Sequence, residues 1–297
     1  MNWRALSVLF LASLSYFLSI PYVSQTAEPV RLSVSAANQR FDQGGIFRIL
    51  VESEKPIREI ETSFDRKKLI FYSHPSSHTW EALAGIDLET KAGEHPLEGK
   101  ILFEDKHSQE IHRSIRILLR KFPEQRITVD EKYVTLNPED QKRAEEESKK
   151  LDILWGTVSP DRLWSGRFIR PIDSQLTSGF GRRRIVNNQP RSPHAGVDFK
   201  ADAGTPIKAA NSGKVVLSEN LFFSGNTVVI DHGLGLYTYY GHCTTLEVKD
   251  GETVKKGQLV GTVGSTGRVT GPHLHWSCRL NGARVDPLWL TTALLGE

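Results

Sequence analysis

Two histidines stand two positions apart in "GPHLHW", residues 271–276. Further upstream, "PHAGVDF" places His194 four residues before Asp198. On an extended strand, residues two or four apart share a face. His273 and His275 therefore fall on one face, with Leu274 and Trp276 on the apolar face behind them. His194, Gly196 and Asp198 align in the same way, and Pro193 and Gly196 disfavour a helix that would also align them. His242 ends an apolar stretch and is expected on the face of Tyr240. Imidazole and carboxylate are good zinc ligands, and a catalytic zinc site uses three protein ligands and keeps one position for water. His194, Asp198 and one of His273 and His275 make such a set. The other member of the pair and His242 are then free for proton transfer. Parity alone does not choose between His273 and His275. Any one of these motifs is weak, but here they fall together among glycine-rich turns of one segment.

The elements that must hold these residues read as β. From Arg170 onward the clearest strands are "GKVVLSE", "NTVVIDHG", "GLYTYYGHC", "QLVGTVGS" and "HLHWSCRL". A hairpin is expected to turn at residues 231–235. No long amphipathic helix appears there, which excludes a doubly wound α/β fold. Residues 30–119 carry short alternating strands at roughly ten-residue spacing, the pattern of a β-sandwich, here expected to be immunoglobulin-like. His74, His78, His95, His107 and His112 are scattered in it and read as surface residues. Between the two, "LNPEDQKRAEEESKKLDILW" predicts a charged helix. Asn137 is its N-cap and Pro138 its first residue. Glu145/Lys149 and Glu146/Lys150 are spaced as ion pairs, and Leu151, Ile153, Leu154 and Trp155 are expected to dock on a neighbouring domain. The expected organisation is therefore mainly β. Residues 28–122 form a sandwich, 123–167 a linker with a charged helix, and 168–297 a compact antiparallel β domain.

Residues 1–27 read as a signal peptide or N-terminal anchor. Arg4 precedes an apolar run over residues 5–20, Pro21 ends it, and small residues follow. The run is short for a span of roughly 20 residues, so cleavage and export to the periplasm or cell envelope is the expectation. Membrane attachment follows only if the segment is retained. The net charge is +3. That excess suits an anionic surface such as a wall polymer, and its dispersion argues against nucleic acid. Cys243 and Cys278 point away from the site face by parity and are expected as a buried thiol pair or a disulfide.

Four stretches in order resemble one family: "SGFGRR" from Ser178, "HAGVDF" from His194, "YGH" from Tyr240, and "VKKGQLVGTVGSTGRVTGPHLHW" from Val254. They are similar to the M23 zinc metallopeptidases, the lysostaphin- or LytM-type peptidoglycan endopeptidases. The resemblance covers residues 168–290. It implies one Zn2+ per chain held by His194, Asp198 and His275, with His242 and His273 as catalytic histidines. It implies peptidoglycan as substrate and an antiparallel β fold with a groove over the metal. The sandwich is left to bind wall, envelope or cell-division proteins. The family's alternative is a catalytically silent regulator of other wall hydrolases, and the presence of all five positions favours an enzyme. One departure stands out. Some members carry a tyrosine on the loop before the first zinc histidine, and this chain has none between Tyr133 and Tyr237. The loop offers Arg182, Arg183, Arg184, Asn187, Asn188 and Arg191 instead, and the arginine run reads as solvated.

Overall fold

The computed structural model describes residues 30–36, 40–73, 78–131 and 134–292. The expected signal segment and His74 lie outside these residues. Strands dominate, as the alternating patterns require. The first part holds β1 (Val30–Ala36), β2 (Ile46–Ser53), β3 (Ile57–Phe64), β4 (Lys67–Leu69), β5 (Tyr72–Ser73), β6 (Thr79–Gly85), β7 (Gly93–Phe103) and β8 (Ser108–Ile117). They form two four-stranded antiparallel sheets, ordered β1-β2-β6-β5 and β4-β3-β7-β8. Phe47, Ile49 and Val51 of one sheet share a core with Ile60, Leu97 and Ile115 of the other. The Phe47 and Phe64 rings meet edge to face at 4.9 Å.

Next come β9 (Glu124–Ile127) and the helix α1 (Pro138–Gly156). The Asn137 side chain accepts from the Asp140 backbone N–H at 2.9 Å, so the expected cap is formed. The charged pairs differ from the expected ones. Arg143 pairs with Glu147 at 2.7 Å, and Lys150 reaches out of the helix to Glu219 at 2.6 Å. Leu151, Leu154 and Trp155 pack against Leu217, Leu221, Val229 and Tyr237, whereas Ile153 stays 71% exposed. The helix is thus a docked element rather than a purely solvated one.

The remaining strands are β10 (Leu176–Ser178), β11 (Arg183–Val186), β12 (Gln189–Pro190), β13 (Gly196–Lys200), β14 (Pro206–Lys208), β15 (Gly213–Leu221), β16 (Gly225–Asp231), β17 (Leu236–Leu246), β18 (Thr253–Val254), β19 (Leu259–Val263), β20 (His273–Leu280) and β21 (Ala283–Val285). A short 3-10 helix, Pro287–Thr291, follows. The main sheet runs β10-β13-β20-β17-β16-β15-β18 and is antiparallel at every pairing. The expected hairpin joins β16 to β17. His232 in its turn is fully buried, with Nδ1 on the Ser212 carbonyl and Nε2 on the Thr238 hydroxyl, so its role is structural.

The arginine run is not a solvated loop. Arg183 and Arg184 start β11, which folds back on β12 through Asn187 and Asn188, both at positive φ. On its other side β11 pairs in parallel with β9. Asn187 and Arg191 bond the backbone of Val129 and Val134, tying the segment after β9 to the same hairpin.

The two β regions share apolar packing, since Ile46, Leu83 and Leu88 belong to the same core as Leu280, Ala283 and Val285. Arg284 closes this junction, bonding both Asp87 carboxylate oxygens at 2.6 and 3.0 Å. Cys243 and Cys278 are buried free thiols in that core, not a disulfide. No helix among the described residues is long and apolar enough to cross a membrane.

Candidate metal centre

Antiparallel register brings the two motifs together. β13 lies against β20 with Asp198 opposite His275 and Gly196 opposite Ser277. The Asp198 Oδ1 atom is 2.9 Å from His275 Nδ1 and 3.0 Å from His194 Nε2. The two ring nitrogens are themselves 3.0 Å apart. Three donor atoms so spaced, from two imidazoles and a carboxylate, match what one zinc ion needs with ligand distances of about 2.0–2.2 Å. Among the described residues this is the one such His/Asp/Glu/Cys group.

Gly196 makes the approach possible. A Cβ there would sit 2.5 Å from the Trp276 carbonyl oxygen and 2.7 Å from the His275 ring. Behind the strand, Leu274 and Trp276 are wholly buried, as alternation requires.

The ring orientation of His194 is set from behind. Its Nδ1 meets the Gly179 carbonyl at 3.1 Å and the Ser178 hydroxyl at 3.2 Å, leaving Nε2 for the centre. Ser178 in turn donates to the Gln125 side chain of β9 at 3.0 Å. Burial lowers the His194 pKa, with Asp198 pulling the other way. Burial likewise holds His275 down, to about 4, against Asp198. For Asp198, burial opposes ionisation, but the hydrogen bonds from His194 and His275 outweigh it and hold the carboxyl well below the usual range. Neutral imidazoles beside an ionised carboxylate are the protonation states a divalent cation requires.

His273 and His242 stand beside this group. Their rings are 4.8 Å apart, and His273 Nε2 is 3.9 Å from Asp198 Oδ1. The His273 Nδ1 faces the Gly271 carbonyl at 2.8 Å and the His242 Nδ1 faces the Thr266 carbonyl at 2.9 Å. A carbonyl only accepts, so each Nδ1 carries the proton and each Nε2 is the basic nitrogen. Burial first, then His273 and His275, lower His242 to about 3.

The parity placement of His242 needs correction. Tyr240 is fully buried in the core, its hydroxyl accepting from the Ala210 N–H at 2.8 Å. His242 has φ 67° within an irregular stretch of β17, and this bulge turns it to the opposite side. The tyrosine on the site side is Tyr239, whose ring lies 6.1 Å from that of His275. Gly241, an isolated glycine inside a strand, was the available signal for the bulge. The sequence named Arg184 only as one of six loop residues and did not single out Arg268. Arg184 donates to Asp198 Oδ2 at 3.3 Å, and Arg268 lines the same groove as His242, Tyr239 and His275. Treating residues 183–186 as a strand puts Arg184 on the side of buried Val186, which would have singled it out.

Fold and site define the class: an antiparallel β domain carrying a His-Asp-His group able to hold a cation, with two further imidazoles beside it. The pattern of peptidase family M23 matches residues 192–287. A crystal structure of a candidate peptidase M23 from Pseudomonas aeruginosa aligns with 86% of this chain and 97% of its own, at 31% identity and a TM-score of 0.66. The chain belongs to peptidase family M23. Among curated relatives, the peptidoglycan DD-endopeptidase ShyC of Vibrio cholerae is 45% identical over 42% of this chain and 30% of its own length. The peptidoglycan DD-endopeptidase ShyA of the same organism is 41% identical over 40% and 28%. The chain therefore spans under a third of the length of these relatives.

Proposed function

We propose that this protein is an exported, zinc-dependent endopeptidase that hydrolyses the peptide stems or cross-bridges of peptidoglycan. The observation that carries this reading is the convergence of His194 Nε2, Asp198 Oδ1 and His275 Nδ1 on one point. The relatives named as peptidoglycan DD-endopeptidases supply the substrate class. Catalysis belongs to residues 168–297, leaving the sandwich, 28–122, for wall or envelope partners.

His194, Asp198 and His275 would hold a zinc ion, which would supply Lewis acidity for activating water and polarising a carbonyl. His242 and His273 do the proton work at Nε2: one accepts a proton as water attacks the scissile carbonyl, and the leaving amine takes it away. Their Nδ1 hydrogen bonds fix both rings for that exchange. Tyr239, at the groove wall, bonds Ser224 and Thr227 and shapes the approach.

The test is digestion of purified peptidoglycan, with fragments read by mass spectrometry. Chelator abolishes digestion and zinc restores it. His275→Ala loses zinc and activity together, whereas His242→Ala keeps zinc and loses activity. Continued digestion by the His242→Ala protein overturns its assigned role.

A further inference from the structure

The groove beside the metal ligands encloses about 220 Å³ and is lined by Arg184, Arg268 and Arg279 together with Tyr239, Phe223 and Trp155. Among the described residues no acidic side chain lines it. Two half-buried arginines elsewhere meet acids: Arg284 bonds Asp87 and Glu89, and Arg120 bonds Asp286. Of the three groove arginines, Arg184 alone meets a carboxylate, that of Asp198. Among the described residues the Arg268 guanidinium has no carboxylate partner, although Phe223 holds it firmly. The Arg268 N–H donates to the Phe223 carbonyl at 2.8 Å, and the guanidinium stacks on the Phe223 ring at 4.5 Å. Arg184 spends one amine on Asp198, and its Nε is buried without a partner. Arg279 stacks on Trp155 at 5.4 Å, and its Nη1 is also buried without a partner. Unmatched buried donors on cations are costly, and a stacked guanidinium keeps its edges free for a bidentate anion.

We propose that Arg268, with Arg184 beside it, forms a carboxylate-binding subsite, so that the enzyme selects peptides bearing a free carboxylate close to the scissile bond. This rests on the peptidase reading of the site. Arg268 lies two residues from Thr266, whose carbonyl holds His242, so an anion on Arg268 sits at the reacting end of the groove. Arg279 marks the far end. It follows His275 by four residues on the same face of β20, roughly 13 Å along the strand. Burial, and then the neighbouring Arg184 and Arg191, lower Arg268 to about 10, so the cations crowd one another until an anion arrives.

The carboxylate has two possible sources in a peptide, its C-terminus or an acidic side chain, and three synthetic cross-linked peptides separate them. One keeps both groups free, one is amidated at the terminus, and one is amidated at the side chain. The zinc-loaded full chain is assayed for KM and kcat on each, and the zinc-stripped chain for binding by calorimetry. Amidation of one of the two groups is expected to raise KM roughly tenfold to hundredfold, the worth of a charge-assisted hydrogen bond. Arg268→Gln is expected to raise KM for the free peptide to the same degree and to erase the difference between the peptides. Equal treatment of all three peptides by the wild-type chain overturns the subsite, whatever the variant does. So does a preference retained by Arg268→Gln. If none of the peptides is cut, the hydrolase reading fails, and the calorimetric comparison still decides the subsite.

Discussion

A methyl group at residue 196 has no room. Its neighbours would be the Trp276 carbonyl, the His275 ring and the Ser277 Cβ, all within 2.7 Å. Gly196→Ala therefore removes none of the candidate metal-binding atoms yet pushes β13 away from β20. Overpacking of this kind costs about 1–3 kcal/mol. We expect zinc affinity to fall roughly fivefold to hundredfold, since 1.4 kcal/mol corresponds to a factor of ten. Competition with a chelating dye reads this, and wild-type affinity in the variant contradicts the packing argument. Much of the candidate metal group was legible in the sequence: strand parity is a local rule and put His273 and His275 on one face, while the choice of His275 came from the family resemblance, and His194 lies just before β13 rather than within it. His242 broke that rule. One residue at positive φ reversed its side, exchanging Tyr240 for Tyr239 at the groove.

Short irregular segments do at the level of elements what regular strands cannot. The turn after β19 delivers Thr266, whose hydroxyl donates to the Cys243 carbonyl and accepts from the Asn226 N–H, while its own carbonyl takes the His242 proton. One residue thus fixes β16, β17 and a catalytic candidate. Thr266→Val keeps the shape and removes the hydroxyl, so we expect kcat on peptidoglycan to drop, with zinc content retained. Thr266→Ser is expected to restore most of the rate; a valine variant as active as wild type refutes the role. The β11–β12 hairpin was harder to foresee. Its Asn-Asn turn is a local signal, but three successive arginines hid the strand, and its partner β9 lies some sixty residues upstream. Pairing at that separation leaves no mark in local periodicity. The helix α1 was visible through its cap and apolar last turns, yet its ion pair to Glu219 needed the folded neighbour.

At the scale of the whole molecule, the two β regions meet through apolar packing sealed by Asp87 and Arg284. Burial opposes ionisation of Asp87, but the hydrogen bonds from Arg284 outweigh it and hold its pKa below the usual value. A depressed carboxylate contributes stability above its unfolded-state pKa and loses it as pH falls through the folded-state value. Arg284→Gln should therefore lower the Tm at pH 7, and the gap to wild type should close below about pH 4. Thermal melts from pH 7 to pH 3 measure this; a constant gap refutes it. Finally, β9 lends the half that carries the candidate metal centre a strand from outside residues 168–297, and with it Gln125 behind Ser178 and His194. Cutting the chain at Phe168 strips β11 to a bare edge of unpaired N–H and C=O groups, which invites association with other copies. Both fragments bare the apolar junction with the first β region, but residues 168–297 also bare β11, so they are expected to aggregate at a lower concentration than residues 121–297, as read by light scattering. The strands that carry the candidate metal centre thus depend on a strand well upstream of them.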